Sequence, residues 1–195
     1  MEAPKFEVKE LEQNFYEDNF AFIQKVSLEC FEEFIRPEYQ VSIKEIPQTE
    51  NFDFDHWVCS ISVKLGWCNI GLKLHYRSEV VRELVASRMK INAKTIPEKL
   101  IQDLVQEYLN LMMGKIKNKF GSDNTIVSLP TTKPTSDQED PRIDMIDRNN
   151  LCWQVTWPDN CFYFACQINL ETSIEQVQAE LPEETEVNPG VLELF

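Results

Sequence analysis

The chain has 195 residues, with 33 acidic and 19 basic side chains and a formal net charge of -14. A chain of this length forms one ordinary domain with its own core. An acidic surface is repelled by phosphate backbones and anionic lipids, so we expect neither a nucleic-acid nor a membrane partner. No run approaches the ~20 apolar residues that cross a bilayer. Residues 1–10 lack the features of a signal peptide, so the expected location is the cytoplasm.

The predicted elements alternate between helical and β-type spacing of apolar residues. In chain order they are a helix over residues 14–35, strands over 39–46, 56–65 and 67–76, helices over 78–89 and 97–120, and strands over 125–129, 152–157 and 161–170. Pro37 ends the first helix, Gly66 turns the first hairpin, and Ser78 is a suitable N-cap. Antiparallel strands followed by long helices predict an α+β fold, with the helices on one face of the sheet.

Three segments are predicted to lie outside these elements. Residues 1–13 form a loosely docked N-terminal segment. Residues 130–149 are rich in Pro, Asp, Thr and Ser, which predicts a mobile loop. Residues 171–195 are acidic and hold two prolines, so we expect a solvated tail. The alternative is a docking segment that ends in an apolar run. The predicted domain therefore covers residues 14–170.

Cysteine chemistry is not expected. The six cysteines are Cys30, Cys59, Cys68, Cys152, Cys161 and Cys166. Their even number would allow disulfides, yet a reducing compartment and apolar neighbours favour small buried hydrophobes. No Cys-x-x-Cys pair is present, and neither His56 nor His75 has ligand spacing to a cysteine. We therefore predict neither a zinc site nor a catalytic cysteine–histidine pair.

The helix predicted over residues 97–120 has an unusual polar face. Its core side is formed by Ile101, Val105, Tyr108, Met112 and Ile116. The opposite side carries what we call the polar stripe, namely Asp103, Glu107, Asn110, Gly114 and Lys117. These five fall within ~80° of arc. A glycine inside a helix costs ~1 kcal/mol relative to alanine, and it is best tolerated where another group approaches the backbone. The stripe is therefore a candidate docking surface. The alternatives are a simply solvated face, or a glycine that accommodates a neighbouring helix.

The segment Glu107-Tyr-Leu-Asn110-Leu-Met-Met-Gly114-Lys-Ile-Lys117 resembles the signature helix of the CheC/CheX family. In that family Glu-x-x-Asn is followed by Gly four residues on and by Lys three further, and all four positions match. Residues 86–89 and 128–131 also resemble the family's flanking elements. The resemblance covers about residues 14–170 and implies a CheC/CheX-like fold. The chain departs from the family in its acidic C-terminus, its longer 130–149 loop and its few hairpin glycines.

The resemblance implies a phosphatase that hydrolyses the aspartyl phosphate of a CheY-like chemotaxis response regulator. Such an enzyme must position water in line with the phosphorus and needs no nucleophile of its own. The amide of Asn110 can accept a hydrogen bond from water and donate one to oxygen. The resemblance implies that Glu107 pairs with a lysine of the regulator, with Asp103, Gly114 and Lys117 as partner-binding positions. The regulator would supply Mg²⁺, so this chain is expected to need no metal or cofactor of its own.

Two other functions are compatible with the same sequence. The first is a non-catalytic module that binds a response regulator or a flagellar switch protein. The second is a small-molecule sensor, which the sequence supports less because it has no glycine-rich phosphate loop. The resemblance also implies a homodimer formed by joining sheets, and the aromatic residues of the strand over 161–170 are compatible with such an interface.

Overall fold

The computed structural model describes residues 5–35, 40–46, 57–120, 125–135 and 149–180. Its elements in chain order are α1 (Lys5–Ile35), β1 (Ser42–Glu45), β2 (Trp57–Lys64), β3 (Cys68–Tyr76), α2 (Ser78–Met89), α3 (Glu98–Phe120), β4 (Ile126–Val127), β5 (Thr131–Pro134), β6 (Asn150–Trp157), β7 (Asn160–Leu170) and α4 (Ile174–Glu180). A short 3₁₀ turn, Ala93–Thr95, precedes α3. None of the helices in these ranges is long and apolar enough to span a bilayer.

All described strands belong to one sheet in the order β1-β6-β7-β3-β2-β4. The short strand β5 lies beside β4, because both pair with the same edge of β2. Every pairing is antiparallel. Helices α1 and α3 pack on one face, where Phe31 and Tyr108 meet the rings of β7. The predicted α+β class is therefore confirmed.

Aromatic rings fill the space between the two long helices and the sheet. The ring of Phe31 lies 4.9 Å from Trp157 and 5.5 Å from Phe162, between ring centroids. Trp153 stacks on Phe164 at 5.2 Å. Such pairs add to the stabilisation that burial of apolar area supplies. The helices therefore rest on a closely packed layer, which fixes the position of α3.

Buried Ser27 joins α1 to both α3 and the sheet. Trp153 donates its indole N–H to the Ser27 hydroxyl at 3.0 Å, and that hydroxyl donates to the carbonyl of Gln24 at 2.6 Å. Tyr108 of α3 donates its hydroxyl to the Ser27 carbonyl at 2.6 Å. Burial raises the pKa of Tyr108 well above its ordinary value, so the phenol remains a donor at neutral pH.

We expect Ser27→Ala to lower the free energy of unfolding by about 1–3 kcal/mol, because the indole N–H of Trp153 loses its buried acceptor. Urea unfolding of the variant beside wild type measures this loss. The matched control is Ser87→Ala on the exposed side of α2, which we expect to stay within about 0.5 kcal/mol of wild type. Equal stability of the two variants would show that the hydrogen bond contributes nothing.

Two predictions about the first half of the chain need correction. Helix α1 begins at Lys5 and not at residue 14, because Val8 and Leu11 pack against the core, so residues 5–13 of the predicted loose segment are helical. Ser78 is not the N-cap of α2. Arg77 holds that position, and the Ser78 hydroxyl donates to the carboxylate of Glu98 at 2.5 Å. Pro37, predicted to end α1, lies outside the described residues.

Two predictions about the second half also change. The segment 130–149 is not a loop throughout, since Thr131–Pro134 forms β5, while residues 136–148 lie outside the described residues. Beyond residue 170, Ile174 and Val177 of α4 are buried in the core. Residues 181–195, the rest of the predicted tail, lie outside the described residues, and the boundaries at 14 and 170 stay predictions.

The strand over 161–170 is not an edge at which two sheets could join. It forms β7, which pairs with β6 on one side and with β3 on the other. Its rings at Phe162 and Phe164 are buried in the core. The described edges of the sheet are β1 and the β4–β5 pair. The homodimer stays a prediction, and joining sheets would have to involve one of these edges.

The exposed face of helix α3 as the candidate functional site

The polar stripe lies on the solvent-exposed side of α3, as predicted. Asp103, Glu107, Asn110, Gly114 and Lys117 are all exposed. The residues predicted to face the core are all buried, namely Ile101, Val105, Tyr108, Met112 and Ile116. The sequence therefore assigned the helical phase of α3 correctly. The roles of the stripe residues stay predictions.

Three contacts fix the rotation of α3 and so the direction in which the stripe points. On the buried side, Tyr108 is bonded to Ser27. On one flank, the Gln106 amide donates to the Thr132 hydroxyl of β5 at 3.0 Å. On the opposite flank, Lys115 forms ion pairs with two carboxylates of α1, that of Glu33 at 2.9 Å and that of Glu29 at 3.6 Å. Because these contacts tie α3 to both α1 and β5, the stripe is held in place before any partner binds.

Glu107 and Asn110 are one turn apart and open to solvent. Their side chains form no hydrogen bond or ion pair within the described part of the chain. Residues three apart on a helix have Cβ atoms about 5–6 Å from each other. The pair therefore presents an acceptor carboxylate beside an amide that can both donate and accept. One small polar site on a partner could contact both groups.

The two outer residues of the stripe differ in their surroundings. Asp103 pairs with Lys99 one turn earlier, at 2.7 Å, and both side chains are exposed. Exposed pairs of this kind contribute little to stability and exchange easily. Lys117 makes no ion pair with another described residue. Either residue is free to contact a partner at the rim of the face.

Gly114 is not needed for packing within the part of the chain that the structure describes. A Cβ added at this position would meet no atom within 4 Å, so in the described structure no neighbouring helix approaches here. The alternative in which Gly114 accommodates another helix is therefore wrong. What remains is a solvated glycine, or a glycine that leaves room for a second molecule.

Gly114→Ala separates these two possibilities, because it should change stability and docking in opposite directions. Alanine is the better helix former by about 1 kcal/mol, so we expect the free energy of unfolding to rise by up to that amount. If a partner contacts the backbone here, the added methyl group should weaken binding about tenfold, as overpacking does. Chemical unfolding and a binding titration on the same sample measure both effects. A stabilised variant with wild-type affinity would show that nothing approaches Gly114.

The structure adds residues that the sequence reasoning missed. Leu111 and Leu100 are exposed by 41% and 39%, and Leu104 is half-buried. All three lie on the same side of α3 as the polar stripe. The helical spacing of the sequence already indicates this position, because at 100° per residue the three leucines fall within 60° of Glu107. Leucines in a helix usually lie in the core, so the residue type alone does not predict an exposed position.

The cysteines do not take part in the candidate site. All six are free, five are buried, and Cys161 is half-buried. Burial raises the pKa of the Cys30 thiol to about 11 and that of Cys68 to about 12. At neutral pH these two thiols are protonated, and the five buried cysteines act as small hydrophobes, as predicted. Among the described residues, no cluster of three His, Cys, Asp or Glu side chains could hold a metal ion.

The chain is an α+β domain, in which two long helices cross one face of a single antiparallel sheet. The second of these helices, α3, carries the exposed Glu-x-x-Asn pair. The particular fold is that of the CheC-like chemotaxis proteins. A CheC-like superfamily protein from Shewanella sp. PV-4 superposes with a TM-score of 0.57 at 13% identity, over 78% of this chain and 97% of that one. The predicted CheC/CheX-like fold is therefore confirmed.

Two further solved structures have the same fold. The chemotaxis protein CheX from Vibrio vulnificus matches with a TM-score of 0.56 at 9% identity, over 75% of this chain and 96% of that one. CheX from Borrelia burgdorferi, solved in a CheX–CheY–BeF₃–Mg²⁺ complex, matches with a TM-score of 0.56 at 10% identity, over 79% and 97%. No family model and no curated protein matches the sequence. At such low identity these likenesses establish the fold alone.

Proposed function

We propose that this chain is a phosphatase that accelerates hydrolysis of the aspartyl phosphate of a CheY-like response regulator. The observation that carries the proposal is the pair Glu107 and Asn110, exposed one turn apart on the outer face of α3. The pair stands on a CheC-like fold, and the Borrelia CheX with this fold was solved in a complex with CheY. A scaffold that only binds has no need of a free amide beside the carboxylate.

Asn110 positions the attacking water. An aspartyl phosphate is already reactive toward water, so the gain comes from holding that water in line with the phosphorus. The amide oxygen accepts a hydrogen bond from the water, and the amide NH₂ donates to a phosphoryl oxygen or to the carboxylate. The amide is neutral and does not repel the phosphoryl group. No covalent intermediate on this chain is required.

Glu107 orients the two proteins. Its carboxylate pairs with a lysine of the regulator, and such an interfacial pair fixes register more than it adds affinity. With a net charge of -14, this chain needs a cation on the partner at the point of closest contact. Asp103 and Lys117 contact the rim, and the backbone at Gly114 allows close approach. The regulator supplies the Mg²⁺ that neutralises phosphoryl charge, and no residue of this chain is assigned to the metal.

The test is phosphate release from a phosphorylated CheY-like regulator, measured with increasing amounts of this protein. We expect the release rate to rise above the regulator's own rate and to saturate. Binding to the regulator, measured in parallel, distinguishes the two candidate functions. Binding without acceleration would assign the non-catalytic module, and absence of both would contradict the proposal for that regulator.

A further inference from the structure

We infer that Leu100, Leu104 and Leu111 form an apolar ridge that docks against the response regulator, with Leu111 as the residue that most affects affinity. This inference rests on the proposed function and adds a binding determinant to it. Nothing in the Glu-x-x-Asn pattern includes these positions. The ridge would explain how a chain with a net charge of -14 binds a partner tightly enough to place Asn110.

The ridge runs beside the polar stripe along one edge. At 100° per residue the three leucines fall about 20° to 60° from Glu107, on the side away from Asn110. At 1.5 Å rise per residue the ridge extends over about 16 Å, from about one turn before Asp103 to about one turn before Gly114. The exposed side of α3 therefore has a polar half around Asn110 and an apolar half around Leu111, with Glu107 between them.

The leucines are not explained by the stability of the helix. Lys, Glu or Gln would support an exposed helical position equally well and would leave no apolar surface in water. Single exposed leucines are common, but here three share one line. Leu104 packs partly against the core and ties the ridge to the domain, whereas Leu111 exposes 41% of its surface. Leu111 therefore has the most area left to bury against a partner.

The regulator, and not a second copy of this chain, is the occupant because of where Leu111 lies. It is one turn after Glu107 and three residues before Gly114, so its Cβ is about 5–6 Å from both positions. A partner that reaches Glu107 and the bare backbone at Gly114 must cover Leu111 as well. The regulator must therefore present apolar side chains beside the lysine that pairs with Glu107.

The experiment compares Leu111→Ala with wild type by titration of a CheY-type regulator activated with beryllium fluoride and Mg²⁺, and by phosphate-release kinetics. Alanine is the best helix former, so the fold is retained. Removing the exposed part of Leu111 should raise Kd and KM about tenfold and leave kcat unchanged. Leu111→Met should restore affinity, because methionine buries a similar apolar area. The matched control is Met89→Ala at the end of α2, which is 56% exposed and belongs to a different helix.

Each outcome has a distinct meaning. A selective rise in Kd for Leu111→Ala, reversed by Leu111→Met and absent in Met89→Ala, supports the ridge. Wild-type affinity in Leu111→Ala overturns it while the proposed function stands. A changed oligomeric state in light scattering, with unchanged regulator affinity, overturns it in favour of a second copy as the occupant. If wild type neither binds nor dephosphorylates the regulator, the proposed function fails and the ridge with it.

Discussion

Asn110→Ala is expected to slow catalysed phosphate release by on the order of 10²-fold or more while the fold remains intact. The loss is large because the amide both holds the attacking water and contacts the reacting group, and positioning of this kind supplies much of the rate. The fold should not suffer, since the Asn110 side chain is exposed and has no partner within the described residues. Alanine also favours the helix slightly.

The design separates loss of chemistry from loss of docking. Steady-state phosphate release at varied regulator concentration gives kcat and KM, and we expect the change to fall mainly on kcat. Asn118→Ala is the matched control, since it removes an exposed amide from the same helix two turns further on and should keep kcat. Asn110→Asp keeps the shape but adds a negative charge that repels the phosphoryl oxygens, so it should be no better than alanine. Undiminished release by Asn110→Ala would refute the proposed mechanism.

The phase of α3 could be predicted from the sequence because a long amphipathic helix defines its own buried side. Tyr108 and Met112 lie in the core for the same reason that Glu107 and Asn110 do not. Such local periodicity needs no knowledge of what the helix packs against. The candidate site could be predicted for the same reason, since its residues all lie on one helix.

The edge strand β5 could not be predicted, because its pairing depends on a distant residue. The segment around Pro130 has the composition of a loop. In the structure the Ser128 hydroxyl accepts a hydrogen bond from the backbone N–H of Ser62 at 2.9 Å, where a regular sheet would have a backbone carbonyl as the acceptor. This contact lets β4 and β5 both pair with β2 on either side of the proline. A pattern read along the chain contains no information on such a partner.

Helix α4 was missed for a related reason. An acidic stretch with prolines favours a solvated tail. A prediction from the composition of the whole stretch does not detect the few apolar residues that become buried. Ile174 and Val177, three apart, are buried in the core, and α4 packs against α1. Two apolar side chains suffice for a short helix when a hydrophobic surface is already present. Only the tertiary structure shows that the surface is there.

Glu107→Lys should produce the largest change in binding, because it replaces attraction with repulsion at the point where the regulator's lysine is expected. We expect KM to rise by about tenfold to a hundredfold, as rejection of a like charge costs more than the loss of one pair. Glu107→Gln, which removes the charge and nearly keeps the shape, should fall between this variant and wild type. Phosphate-release kinetics with varied regulator concentration measure all three.

Salt dependence and a matched charge change decide whether the effect is local. Rising ionic strength should weaken binding of wild type and improve binding of Glu107→Lys, because screening reduces attraction in the first and repulsion in the second. Glu83→Lys, at an exposed position on α2, changes the net charge by the same two units. If both lysine variants shift KM equally, the effect comes from overall charge and Glu107 has no specific partner. A shift confined to Glu107→Lys, with opposite salt dependence, places a cation of the regulator against this carboxylate.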